Sequence, residues 1–377
     1  MKIIINTSKL RFGGALQVAL SLIYECRAFP ENEYHVFVGQ GLRKSLKEED
    51  FPDNFFFYPF DFGVLNLFNI RKIASELSAF EAQIQPDCVV TTSGPAYWKP
   101  KAPHLMGFNL GKYIYPDSPY FGTVSRYARF RYGIKRKIHL RMFKREATAL
   151  IVQTDDVNQR IRKALNMEHV FTVTNTHSGF FKDWQEVELP LPSKGPDEIW
   201  ILTLTSYYIH KNIEIIPSIL EELQKKGYTR VRFVVTLGES TYEHVFNGQQ
   251  VQNIINVGTV RPEQCPSLYA RCDYMFLPSL AECFSASYPE AMVMKKPIIT
   301  TDLSFARSIC GDAALFYKPM DGRSAAEAIE QVMQDQDLRS GLIERGLKRL
   351  DHFDTAKERA EKILGICHRM DQLSKTL

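Results

Sequence analysis

Short β-rich apolar runs alternate with helical stretches along the whole chain, and the alternation is written twice. The runs cover residues 2–6, 34–39, 55–58, 88–92, 105–108, 150–153 and 170–174, then 199–203, 231–237, 254–257, 274–277, 298–301 and 315–317. Helical patterns fill the gaps, among them 15–26 and a long one over 124–147, and another closes the chain from Ser324 to about Leu373. A helix between successive strands lets them pair in parallel, so the pattern predicts an α/β chain built from parallel sheets. At 377 residues the chain is also longer than one hydrophobic core fills. Between the two series lies Leu189-Pro-Leu-Pro-Ser-Lys-Gly-Pro196, whose prolines suit neither a helix interior nor a central strand. That stretch is the expected interdomain linker. It separates a first domain over 1–190 from a second over 191–355, with a terminal helix over 356–377.

An apolar fraction of 45% with 24% charged residues gives ample core-forming side chains, which excludes a disordered class. The formal charge of +4 is too small to argue for nucleic acid, and no binding motif accompanies it. The opening Met1-Lys-Ile-Ile-Ile-Asn6 has an apolar core too short for a signal peptide. No stretch approaches the roughly 18 apolar residues of a membrane span, so a cytoplasmic location is expected. Seven scattered cysteines, an odd number without a Cys-x-x-Cys pair, read as reduced and mostly buried thiols.

Two glutamates, Glu282 and Glu290, flank the segment Cys283-Phe-Ser-Ala-Ser-Tyr-Pro289, between the strand candidate 274–277 and a helical run ending at Lys295-Lys-Pro297. The carboxyl ends of strands in open parallel sheets are where ligands bind. A carboxylate before a helix, small residues at its start and a second carboxylate in its first turns surround an anion held by free backbone N–H groups. Phosphates meet the amides, and the carboxylates are left for hydroxyls. A sugar nucleotide has that chemistry.

The glutamate spacing resembles the E-x7-E signature of retaining glycosyltransferases of family 4, which have the GT-B fold. Flanking segments resemble the family in the same order: Val257-Gly-Thr-Val260, Leu268-Tyr-Ala-Arg-Cys-Asp273, Phe276-Leu-Pro-Ser279, Pro289-Glu-Ala-Met292, Lys296-Pro-Ile-Ile-Thr300 and Gly311-Asp-Ala-Ala-Leu315. The resemblance implies two Rossmann-like domains with parallel sheets facing across a cleft, the first binding the acceptor and the second the nucleotide sugar. It also implies that the last helix crosses back to the first domain. By the same resemblance Glu282 binds hydroxyls of the transferred sugar and Glu290 the ribose. Phe284, Ser285 and Ala286 form the loop over the phosphates, where Cys283-Phe-Ser285 stands for the more usual Gly-Phe-Gly.

Lys211 follows the first strand of the second series and matches the family's donor-phosphate lysine. A lysine there neutralises a departing diphosphate, whereas its bland reading is a solvated helix-start cation. The family's partner arginine, six residues earlier, is Thr205 here, which leaves Arg261 or His210 to compensate without support from any motif. Arg11-Phe-Gly-Gly14, after the first strand, resembles the family's N-terminal glycine pair; Gly13 and Gly14 would let backbone approach the donor phosphate or acceptor. Val260 falls where the nucleotide base packs. Asn109 falls where many members carry a histidine near the transferred sugar, while His104 reads as a structural histidine. No Asp-x-Asp follows a strand, and Asp155-Asp156 reads as a helix cap, so a metal-free, cofactor-free transfer is expected.

Residues 126–145 hold a run of cations interleaved with aromatics and aliphatics and no acidic residue. Nucleic acid is the weakest reading of it, for want of a binding motif, and two others stand ahead of that one. Arg136, Lys137 and Arg141 meet anionic headgroups or an acceptor, or the helix buries its apolar side in the core and its cations are solvated. The combined expectation is a retaining transferase moving a hexose from a UDP- or GDP-sugar to a lipid-linked glycan at the inner membrane face, in surface polysaccharide or lipopolysaccharide assembly. A transferase with a soluble acceptor and a catalytically silent sugar-nucleotide-binding subunit are the alternatives, the latter suggested by Thr205 and Cys283-Phe-Ser285.

Overall fold

The computed structural model of the chain describes residues 1–11, 13–63, 69–246 and 252–376. It divides into two compact units: Met1–Ile114 with Arg126–Asn175 and Asp354–Leu377, and Tyr115–Ser125 with Thr176–Phe353.

The first unit is built on strands β1 (Lys2–Asn6), β2 (Glu33–Val38), β3 (Phe55–Pro59), β4 (Cys88–Thr91), β5 (His104–Gly107), β6 (Ala149–Val152) and β7 (Val170–Thr172). They pair in the order β3-β2-β1-β4-β5-β6-β7, every neighbouring pair parallel. Ile3, Ile4 and Ile5 show why β1 is central. Alternate side chains point to opposite faces, and all three are buried. Ile3 and Ile5 pack with Leu22 and Ile23 of the helix Gly14–Glu25 and with Ile363 and Cys367 of the last helix, Ala356–Thr376. Ile4 packs on the other face with Phe37, Leu77 and Trp98. At about 1.5–3 kcal/mol per buried aliphatic side chain, such a strand is stable only with both faces covered.

The second unit holds β8 (Ile199–Thr203), β9 (Val231–Val235), β10 (Ile254–Asn256), β11 (Tyr274–Leu277), β12 (Ile298–Thr301) and β13 (Ala314–Tyr317). Their order is β10-β9-β8-β11-β12-β13, again parallel throughout. In each sheet the winding reverses beside the first strand, between β1 and β4 and between β8 and β11. A crevice at the carboxyl ends of such a strand pair is where doubly wound sheets bind ligands.

The chain passes between units elsewhere than at the expected linker. The first unit ends at Asn175, and residues 176–190 group with the second unit, not the first. Phe181 lies edge-on to Tyr269 at 5.7 Å, the Val187 N–H donates to Ser267 Oγ at 2.9 Å, and Lys194 pairs with Asp273 at 2.6 Å. The proline-rich stretch is thus laid along the second unit by contacts with residues far away in sequence. Residues 115–125 also belong to the second unit, although their neighbours on both sides belong to the first. The helical pattern closing the chain resolves into Gly322–Gln334, Gln336–Leu350 and Ala356–Thr376. Asp335 makes the first break by capping: its Oδ1 accepts the Leu338 N–H at 2.8 Å. All seven cysteines are free thiols, and all but Cys265 are buried. Among the described residues, no helix is long and apolar enough to cross a membrane.

Candidate active site

The loops after β8 and β11 leave adjacent strands at the reversal of the second sheet, and three contacts tie them together. The Leu280 N–H donates to the His210 carbonyl at 2.7 Å, and Ser287 Oγ donates to the Leu204 carbonyl at 3.2 Å. The third contact is an ion pair, Lys211 Nζ on Glu282 Oε1, with side chains only 13% and 12% exposed. Lys211 ends a short 3-10 turn, Ile209–Lys211, which is closed by Asn212 in the left-handed conformation (φ 52°, ψ 33°) that asparagine tolerates. The Glu282 loop is held from the far side. Thr300 Oγ1 donates to the Leu277 carbonyl and Thr301 Oγ1 to that of Ser279, each at 2.8 Å. Beside the pair, two buried polar atoms, Ser279 Oγ and Asn212 Nδ2, have no partner among the described residues. Unsatisfied atoms of this kind are uncommon in folded chains and mark places where a polar ligand can bind.

Glu290 lies in the first turn of the helix Ser287–Val293, its N–H bonded to the Ala286 carbonyl at 3.0 Å. Tyr269 Oη sits 3.2 Å from both Glu290 Oε2 and the Ser287 carbonyl. Burial pushes the Glu290 carboxyl up to about 7, with the Tyr269 hydroxyl opposing the shift. Among the described residues, nothing hydrogen-bonds the backbone N–H groups of Phe284, Ser285 and Ala286. They remain as donors for an anion. Phe284 fastens the loop edge-on to Phe353, with ring centroids 5.8 Å apart.

Thr205 sits at the start of the loop after β8, its hydroxyl turned to the Ser206 carbonyl at 3.1 Å. The two expected substitutes lie in different surroundings. Arg261 pairs with Glu263 at 2.8 Å, while His210 stacks on Tyr208 with ring centroids 5.5 Å apart. Val260 is partly exposed just after Gly258, whose positive φ of 80° favours glycine. Asn256 Oδ1 joins the loops after β9 and β10 by accepting from the N–H groups of Leu237 and Gly258.

Gly13, Gly14 and Asn109 belong to the first unit. Gly13 opens the helix after β1 at φ 88°, ψ −177°, which requires glycine. Gly14 has no such requirement, since a Cβ there would meet nothing within 4 Å. Phe12 of the same motif lies outside the described residues. Asn109, just past β5, has its Nδ2 2.8 Å and its Oδ1 3.1 Å from Ser93 Oγ. His104 is fully buried. Its Nδ1 faces the Glu146 carbonyl at 2.8 Å and must carry the proton, so Nε2 accepts from Thr91. Burial holds this ring neutral, down to about 4.

Sequence reasoning missed a polar cluster at the reversal of the first sheet. Lys9 Nζ donates to the Pro95 carbonyl and lies 4.4 Å from the Tyr97 ring centre. Burial lowers its amine to about 7, against the pull of Glu146. Glu146 accepts the Tyr97 N–H at 3.0 Å, and the Tyr97 hydroxyl reaches His139 at 3.1 Å. Lys9, Tyr97 and Glu146 are far apart in sequence, and no local pattern joins them.

The helix Arg126–Glu146 settles where its apolar side points. Tyr127, Phe130, Ile134 and Ile138, spaced to share one face, are 70%, 66%, 46% and 53% exposed. Only Leu140, Phe143 and Glu146 are buried, so the reading in which the apolar side enters the core fails over most of the helix. Arg136 is half-buried, and its Nε donates to the Tyr113 carbonyl at 2.6 Å. Lys137 and Arg141 are exposed. A groove of about 1100 Å³ runs beside the helix, with Ile70, Ile134, Ile138 and Met142 on its walls and Lys135 and Arg141 among its cations.

Two parallel-sheet, Rossmann-like units with these loops define the GT-B architecture, and comparison with known proteins agrees. Residues 191–349, within the second unit, match the family model described as glycosyl transferases group 1. Over 132 residues the chain is 28% identical to O-antigen chain mannosyltransferase B of Escherichia coli, a stretch that covers 33% of this chain and 35% of that protein. Whole-chain likeness comes from solved structures. A glycosyltransferase from Rickettsia africae superposes with a TM-score of 0.69 at 16% identity, covering 98% of both chains. HepE of Anabaena, in complex with UDP and glucose, gives 0.69 at 14% identity, with 98% of this chain and 100% of that one covered. WaaG, a glycosyltransferase involved in lipopolysaccharide biosynthesis, gives 0.70 at 14%, with 97% and 99% covered.

Proposed function

We propose that the chain is a retaining glycosyltransferase that moves a hexose from a nucleoside-diphosphate sugar to a lipid-linked glycan in surface polysaccharide assembly. The observation that carries this reading is the Lys211–Glu282 pair at the β8/β11 reversal, with unpaired loop N–H groups and Glu290 following it. Lys211 faces the departing diphosphate together with the loop amides. Glu282 accepts hydroxyls of the transferred sugar, and Glu290 accepts those of the ribose. Val260 and Thr205 complete the donor side of the second unit. A lysine and amides supply the charge that a metal supplies in other transferases, so the reaction runs without one. The match over residues 191–349 supports the donor chemistry, and the mannosyltransferase and WaaG support the polysaccharide setting.

The exposed apolar stripe of Arg126–Glu146, bordered by Lys137 and Arg141, supports peripheral binding to an anionic membrane from the cytoplasmic side. A thermal-shift panel of UDP-, GDP- and ADP-sugars, followed by donor hydrolysis with and without EDTA, tests the reading. Donor at many times its Kd raises stability by RT ln(1 + [L]/Kd). No shift with any donor overturns the function, and hydrolysis abolished by EDTA and restored by Mg²⁺ overturns the metal-free step.

A further inference from the structure

The segment Tyr115–Ser125 is a strap that leaves the first unit's chain after β5, joins the second unit, and returns to the first at Arg126. Its conformation is set locally. Pro116 and Pro119 restrict two of its residues, and the Ser118 and Phe121 N–H groups close turns onto the Tyr115 and Ser118 carbonyls, each at 3.1 Å. Its aromatic side chains anchor it: Tyr115 against Phe305 with ring centroids 6.0 Å apart, and Tyr120 edge-on to His210 at 6.2 Å.

A hydroxyl of the strap reaches the Glu282 loop. Ser118 Oγ, buried, donates to the Leu280 carbonyl at 2.6 Å and accepts the Tyr120 N–H at 3.2 Å. The Leu280 N–H donates in turn to the His210 carbonyl at 2.7 Å. The Leu280 backbone is therefore held on its carbonyl side by the strap and on its amide side by the residue next to Lys211. Glu282 stands two positions further on. Neither Ser118 nor Tyr120 belongs to a motif noted in the sequence.

From this geometry we infer that Ser118 is a positioning residue for the Lys211–Glu282 pair: its hydroxyl fixes the Leu280 carbonyl and so the approach of the Glu282 carboxylate to the transferred sugar. The inference rests on the proposed glycosyl transfer. It separates turnover from nucleotide binding, because among the described residues Glu290 is bonded by Tyr269 and no hydrogen bond joins the strap to the N–H groups of residues 284–286.

The test compares wild type, Ser118→Ala and Ser118→Cys for donor hydrolysis (UDP-glucose and GDP-mannose) and for nucleoside-diphosphate affinity, with hydrogen exchange at residues 280–282 as the structural readout. Losing one buried hydrogen bond at this position is expected to lower kcat about tenfold in Ser118→Ala, with Kd for the nucleoside diphosphate unchanged and exchange at 280–282 faster. Ser118→Cys keeps a donor, weaker and slightly bulkier, at the same position and falls between; it carries the comparison if Ser118→Ala does not fold. Unchanged kcat overturns the inference, as does a parallel loss of kcat and nucleotide affinity, which would mark a purely structural contact. A wild-type chain inactive with every donor overturns the proposed function, and this inference with it; an active wild type matched by Ser118→Ala overturns the inference alone.

Discussion

Replacing Glu290 by glutamine is expected to change the pH dependence of stability in a definite direction. Burial carries the Glu290 carboxyl from 4.5 to about 7 in the folded chain. Below pH 4.5 the group is protonated in both folded and unfolded states, and no penalty exists. Between 4.5 and 7 the unfolded chain releases a proton that the folded chain keeps, so stability falls as pH rises; above 7 the loss is complete. At 1.36 kcal/mol per unit, the full loss is about 3 kcal/mol. Glutamine has nearly the same shape and no charge at any pH, so the variant gains about 3 kcal/mol on wild type between pH 4.5 and pH 8. For a unit of this size that is roughly 2–4 °C per kcal/mol, or about 6–12 °C in the melting transition that contains the second unit. Calorimetry at pH 4.5, 6 and 8 reads the difference directly. Wild type and Glu290→Gln melting in parallel at all three pH values would refute the reasoning. Ligand binding supplies an independent check: ribose hydroxyls donate to the ionised carboxylate, so nucleoside-diphosphate affinity in wild type rises as pH passes 7, and Glu290→Gln lacks the rise.

Lys211→Ala is expected to lower donor turnover by about 10²–10³, the size of a lost transition-state charge contact, and near-normal turnover would give that role to another cation. Glu282→Ala mainly slows turnover, whereas Glu290→Ala weakens nucleoside-diphosphate binding by roughly 1.5–3 kcal/mol; equal nucleotide affinity in Glu290→Ala and wild type would sink the ribose assignment. Lys137→Glu with Arg141→Glu is expected to reduce co-sedimentation with anionic liposomes at low salt by about 1 kcal/mol or more per residue, and Phe130→Ser with Ile134→Ser to reduce it at any salt. Wild type indifferent to anionic liposomes would return the helix to a solvated surface.

The strands of both sheets were legible in the sequence, to within a residue or two at most ends, because a strand covered on both faces must be apolar at nearly every position, as Ile3–Ile5 and Trp200–Leu202 are. The placement of the candidate residues on loops after strands was legible as well, since Glu282 and Glu290 share one short segment and Lys211 follows its own strand. The partnership of Lys211 with Glu282 was not. A pair separated by 71 positions becomes a pair only when β8 and β11 lie side by side. The same reason hid the Lys9, Tyr97 and Glu146 cluster, the strap on Leu280, and the laying of residues 176–190 along the second unit. For the helix Arg126–Glu146 the sequence determined the amphipathic pattern and the positive charge. Whether the apolar side faces core or solvent depends on what the rest of the chain packs against it, and tertiary structure alone decided that.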